Sequence, residues 1–209
     1  MSKIKLPHAS GNSVSIAAPA TNPASDLELK LPATVGTAGQ VLQNSSTPGT
    51  LEFGTVGKFV SCALLIDQKS QDTSGGSFTS GSHQVRDLNT EVFDPDNIVT
   101  LNSNEFTLAS AGSYVIQWFA PSYKVDNNVS RLREVTDGTI REGTNAFAHS
   151  GESVQTHSEG VARVTQTGSK TYRIEHRCTD TQNSNGFGVA SGAVSNYDTF
   201  TMVTIWKEA

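Results

Sequence analysis

The sequence predicts an all-β fold, an antiparallel jelly-roll sandwich preceded by an extended N-terminal arm. Three observations predict it. Hydrophobic residues make up 35% of the chain and charged residues 17%. Both are low for a soluble domain, and Gly, Ser, Thr and Asn fill the difference, a composition of short strands joined by polar turns. No stretch places apolar residues at i, i+3, i+4 and i+7 among good helix formers, so almost no helix is expected. From Gly57 onward, eight or more short strands follow one another between turn signals, the spacing of a sandwich, with the antiparallel jelly roll as its expected form. At 209 residues the chain holds one full domain and a small appendage, and can bury a sizeable core without staples.

The arm is residues 1–56. Pro7, Pro19, Pro23, Pro32 and Pro48 lie in it, five of the chain's seven prolines, together with few charges and a single aromatic, Phe53. "KIKLP" (Lys3 to Pro7) returns as "LELKLP" (Leu27 to Pro32), each a short alternating strand closed by a proline that cannot donate to a ladder. So little apolar surface cannot offset the entropy of ordering the segment, which therefore needs a partner chain or copies of itself. In "LKLPATVGTAGQVL" (Leu29 to Leu42), Gly36 and Gly39 supply backbone freedom, while Leu29, Leu31, Val41 and Leu42 are the expected docking contacts. A phosphate loop is excluded: "GTAGQV" lacks the lysine and leads into no helix.

The head is residues 57–209. Its expected strands are Lys58–Asp67, Val99–Leu101, Glu105–Leu108, Ser113–Val125, Asn128–Val135, Thr139–Ala146, Ser153–Thr165, Lys170–Thr179 and Asp198–Lys207. In Lys170–Thr179, Tyr172, Ile174, His176 and Cys178 alternate with Thr171, Arg173, Glu175 and Arg177, a sheet with one core face and one wet face. "FVSCALLI" (Phe59 to Ile66), "YVIQWFA" (Tyr114 to Ala120) and "FTMVTIW" (Phe200 to Trp206) differ: they are apolar on both faces. In a two-layer sandwich the second apolar face needs cover from another subunit. Phe59, Leu65, Tyr114, Trp118, Phe119, Phe200, Met202 and Trp206 are the expected interface residues. At the loops, "SQDTSGGSFTSGSH" (Ser70 to His83) and "TDTQNSNGFGVASGAVSN" (Thr179 to Asn196) are long and polar. Ser77, Phe78, Asn185 and Phe187 are their candidate receptor-facing residues, since recognition concentrates on loops held by a rigid scaffold; a solvated connector without a partner is the alternative.

"NEFTLASAGSYVIQWFAPSYKV" (Asn104 to Val125) resembles the central signature of the tumour necrosis factor and complement globular-head superfamily. "YDTFTMVTIWKEA" resembles that family's closing strand. "EGVARVTQTGSKTYRIEHRCTDTQNSNGFGVA" (Glu159 to Ala190) resembles a variant common in bacteriophage virion proteins. "LKLPATVGTAGQVLQNSSTPGTLEFG" is similar to a segment of phage fibre and appendage proteins that usually ends in Trp, where Phe53 stands here. The resemblance implies a threefold trimer with the doubly apolar sheet at its axis. It also implies a virion location, with assembly in the host cytoplasm.

Net charge is −5 and pI about 5.5, with no basic stripe, which disfavours nucleic acid as a partner. The longest apolar run, "CALLI", is far short of a membrane span, and "MSKIKLPHASG" has no apolar core of a secretory signal. Free buried thiols are therefore expected at Cys62 and Cys178, although pairing stays open. There is no G-x-S-x-G, H-E-x-x-H or C-x-x-C, and no nucleophile–base set is visible, so no catalysis is expected. His8, His83, His149, His157 and His176 are scattered. His176 reads as a core histidine, and His149 and His157 flank a turn without a metal set. "DPDN" (Asp94 to Asn97) could offer oxygens to calcium but supplies few of them and reads as a proline turn, with calcium left open; no cofactor or metal is expected.

The expected function is a non-enzymatic phage virion protein: a trimeric appendage, tail fibre knob or head fibre, whose arm docks on other virion proteins and whose head projects outward. The head's loops would bind a host surface glycan or protein. A capsid decoration or cement protein is the alternative role. A soluble lectin-like or signalling module and a jelly-roll carbohydrate-active enzyme are the alternatives from other classes.

Overall fold

The computed structural model describes residues 3–7, 11, 13–17, 20–21, 23, 28–55, 57–192 and 194–209, and among these it holds strands and no helix. The chain divides into two units, Met1–Val56 and Gly57–Ala209.

In the first unit, β1 (Lys3–Pro7) pairs antiparallel with β2 (Ser13–Ala17), and β3 (Gln40–Asn44) with β4 (Leu51–Thr55). The strand expected over "LELKLP" does not form. Leu27 lies outside the described residues, and the rest makes one parallel bridge, Lys30 to Thr50. There the Lys30 N–H donates to the Gly49 carbonyl and the Leu51 N–H to the Lys30 carbonyl, both at 2.8 Å. Pro32 then removes the next donor on that side.

The second unit carries β5 (Phe59–Ser70), β6 (Gln84–Val85), β7 (Thr90–Phe93), β8 (Val99–Asn102), β9 (Glu105–Leu108), β10 (Gly112–Tyr123), β11 (Asp126–Glu134), β12 (Gly138–Ala148), β13 (Gln155–Gln166), β14 (Lys170–Cys178) and β15 (Tyr197–Glu208). They form two antiparallel sheets, ordered β13-β10-β15-β5-β7 and β12-β11-β14-β9-β8, with β6 also on β14. First and last strands of the unit lie side by side in one sheet, and apart from the hairpins β8–β9 and β11–β12 successive strands cross between the sheets. This is the expected jelly roll. Two short strands were not legible in the sequence, β6 and β7.

The core lies between the sheets. Leu65, Tyr114, Ile116, Trp118, Val203 and Ile205 from the first sheet meet Phe106, Leu108, Leu132, Tyr172 and Ile174 from the second. Trp118, 1% exposed, donates its indole N–H to Ser130 Oγ at 2.8 Å. That satisfies the one polar atom of a buried tryptophan. Across the ladder from it stands Gly160, where a Cβ would lie 2.2 Å from the indole ring. The glycine is there to let Trp118 in. Both cysteines are free thiols, Cys178 buried and Cys62 half-buried. Asp94 caps its own turn, its two carboxylate oxygens accepting the Ile98 and Val99 N–H groups at 3.0 Å.

Candidate functional site

The first sheet has a second face, and its residues follow from the period of two. In β10 the buried set is Tyr114, Ile116, Trp118 and Ala120, which leaves Val115, Gln117 and Phe119 facing outward. Register then builds the face row by row: Val115 beside Trp206 beside Cys62, Gln117 beside Thr204 beside Leu64, and Phe119 beside Met202 beside Ile66. Val161 flanks Gln117 on one side and Phe93 flanks Leu64 on the other. Phe59 and Trp206 pair at one end with ring centroids 6.3 Å apart. Phe59, Phe93, Val161 and Met202 are exposed. Charge is confined to the margin, at Glu159, at Asp96 near Phe59 and Trp206, and at Arg163, whose Nη2 donates to Glu208 at 2.6 Å.

Of the expected interface residues, Phe59, Phe119, Met202 and Trp206 lie on this face. Leu65, Tyr114 and Trp118 do not: they point into the core between the sheets and are 1% exposed or less. The reason is parity. When both faces of a strand are apolar, alternation does not reveal which set is inside. Phe200 is also buried, because a register irregularity between Thr199 and Met202 turns both Phe200 and Thr201 inward.

The loops give a second correction. Phe78 and Phe187 are buried, not receptor-facing; their rings meet at 4.5 Å in a small cluster with Val125, Ala148 and Cys178. The two long loops are laced together. Gly75 N–H donates to the Gly188 carbonyl, Phe187 N–H to the Gly76 carbonyl, and Phe78 and Gln182 exchange both bonds. Ser77 is exposed and Asn185 partly so. Under this lattice lies a residue that sequence reasoning missed. Arg86 is fully buried and donates to Thr201 Oγ1 (2.9 Å), the Pro121 carbonyl (3.0 Å) and the Phe187 carbonyl (2.9 Å). Its guanidinium also lies 4.1 Å from the Phe187 ring centroid, a cation–π contact. Burial pushes its pKa down to about 9, against the attraction of Asp67 and Asp87, so it stays charged at neutral pH.

His176, buried beside Phe78 at 4.8 Å between rings, is a core histidine as expected. The Asn128 side-chain N–H donates to the Asp126 carbonyl, which turns Asn128 Oδ1 toward His176 Nε2 at 3.0 Å. Nε2 therefore carries the proton, and Nδ1 has no partner among the described residues. Burial, then the charges of Arg86 and His83, hold the His176 pKa well below its ordinary value. A neutral folded histidine loses to an unfolded one that can protonate, so stability falls as pH drops below about 6.5, by up to about 1.4 kcal/mol per unit. Urea midpoints between pH 7.5 and 5.5 should show this slope, and His176→Gln should flatten it. Equal slopes in both proteins would remove His176 as the cause.

In the arm, Leu29, Leu31, Val41 and Leu42 are exposed, as is Val35. Gly39 has φ of +84°, where a side chain is strained. Gly36 acts otherwise than expected: its need is space, since a Cβ would sit 2.5 Å from the Phe53 ring. Among the described residues no three His, Cys, Asp or Glu side chains gather as a metal set.

No family model and no curated protein matches the chain. Similar solved structures include the globular domain of the zebrafish complement 1qA protein, at 18% identity over 72% of this chain and 96% of that one, with a TM-score of 0.43. Eiger, a tumour necrosis factor from S. frugiperda, is 11% identical over 73% of this chain and 94% of that one, TM-score 0.47. The vertex protein P5 of PRD1 is 15% identical over 72% and 99%, TM-score 0.43.

Proposed function

We propose that the chain is a non-enzymatic structural protein of a phage particle, a trimeric appendage whose arm docks on other virion proteins and whose head projects for host attachment. One observation carries this reading: a head with an outward apolar sheet face stands in the same chain as a separate arm whose large apolar side chains are also exposed. A face of paired Trp206, Val115, Phe119 and Met202 calls for cover by like faces, and closed rotational symmetry covers all copies equally. The arm's hairpin and its exposed leucines suit docking on another surface by strand edge and apolar contact. The phage-like segments of the sequence support the location.

Light scattering on the full chain should give three times the protomer mass of 22.2 kDa. A stable monomer at micromolar concentration would refute the trimer. Removing residues 1–56 should leave a trimeric head that no longer joins particles. Gly36→Val, by striking Phe53, should reduce incorporation without changing the melting of the head. A truncated head that still joins particles at normal copy number would place docking elsewhere.

A further inference from the structure

A cleft of about 600 Å³ lies on the outward face of the second sheet, between the ends of β11, β12 and β14 and the Ser80–Gly81 segment. Its floor is set by register. Asn145, Val129 and Arg177 form one cross-strand row, and Phe147 stands beside Asn127 in the next. Asn127, Asn145, Phe147 and Arg177 are all exposed.

These polar groups are uncommitted. Among the described residues the Arg177 guanidinium makes no ion pair and no hydrogen bond, and the side-chain amides of Asn127 and Asn145 make none either. The other arginines of this sheet face are engaged: Arg131 and Arg173 hold Glu175, at 2.7 and 2.8 Å, and Arg133 lies 3.7 Å from it. Burial alone would raise the Glu175 carboxyl, but those hydrogen bonds and charges hold it below the ordinary carboxylate range. The nearest clamped acid is thus already neutralised, and no Asp, Glu or Lys lines the cleft.

We propose that this cleft binds a carboxylate-bearing saccharide. Arg177 presents a planar fork matched to a carboxylate. Asn127 and Asn145 each offer donors and an acceptor, as sugar hydroxyls require. Phe147, beside Asn127 in the adjoining row and edge-on to His149, is outside the cleft's own lining but offers an exposed ring to the C–H face of a sugar that extends past Asn127. The volume lies in the range of small-ligand sites. The site would be the receptor-binding element of the attachment role above and takes its biological meaning from that reading, while the binding itself belongs to the isolated chain.

The test is calorimetric titration of the full chain with digalacturonate, and with galactobiose as the neutral counterpart. Saturable binding of the acidic disaccharide is expected, weakened about tenfold or more by Arg177→Gln and severalfold by Asn145→Ala. Arg141→Gln, which removes an exposed arginine of β12 outside the cleft, should leave it unchanged. Equal binding of galactobiose would overturn the carboxylate class. Glycylglycine binding as tightly as the acidic sugar would overturn the saccharide in favour of a peptide carboxylate. Binding of neither sugar, or binding unmoved by Arg177→Gln, would overturn the site. A chain that binds digalacturonate but is never found on particles sinks the virion reading alone; a particle-borne trimer that binds no sugar sinks this one alone.

Discussion

Arg86→Ala is expected to lower the unfolding free energy of the head by about 4 kcal/mol or more, a large share of a domain's usual margin. Three acceptors lose their donor at once: the carbonyls of Pro121 and Phe187, and Thr201 Oγ1. All three lie in the interior, and the volume of a fully buried arginine is left to collapse or to take up water that satisfies them only in part. Arg86→Met should cost less, because it fills most of that volume and removes a charge that was itself costly to bury, yet it leaves the same carbonyls unpaired. Denaturant unfolding followed by tryptophan fluorescence measures both. Near-identical midpoints for wild type and Arg86→Ala would show that the loop lattice does not depend on this side chain.

Trp206→Asp should turn the assembled protein into folded protomers, with the mass in solution falling about threefold if closure is threefold. Trp206 is only half-buried in the single chain, beside Phe59 and Val115 on the outward face, so the protomer has room for a carboxylate. In an assembly every copy would bury that carboxylate against apolar side chains, and the cation of the same row, Arg163 beyond Val115, is already held by Glu208, so the cost is several kcal/mol each. Light scattering paired with circular dichroism separates the outcomes. An unfolded variant would mean Trp206 serves the protomer's own core, and an unchanged mass would move the interface to another surface.

The alternation of single-faced strands was legible in its apolar half, although Glu175 of the expected wet face is buried under arginines. β9 spans the expected Glu105–Leu108, and in β14 Tyr172, Ile174, His176 and Cys178 turned inward as the period of two requires. Where both faces are apolar the same rule left two solutions, and Leu65, Tyr114 and Trp118 fell on the other one. Phe78 and Phe187 stand in loops rich in Gly and Ser and read as exposed, because nothing local shows that the two loops bond to each other. Arg86 was hidden for the opposite reason. One arginine in "HQVRDLN" reads as solvated, and only the contacts of Phe187, Pro121 and Thr201, distant in sequence, enclose it. The cleft was invisible because Asn127, Asn145 and Arg177 come from three strands and meet only through register.

The pairing of Phe59 with Glu208, extended by the bond from Ala209 N–H to the Lys58 carbonyl at 2.9 Å, has a mechanical meaning. Tension applied between those two strand ends would act across the β5–β15 ladder and peel it one hydrogen bond at a time, the weak direction for a sheet. Those strands form the middle of the apolar face, so such a pull would strip the surface that copies of the head would share. Tension entering by one end alone, against cover from neighbouring copies, loads the ladder along its strands and many bonds at once. A head built this way tolerates being hung from a single point and resists poorly being stretched between two, a difference that forced unfolding, which reads the unfolding barrier, would register as two distinct rupture forces.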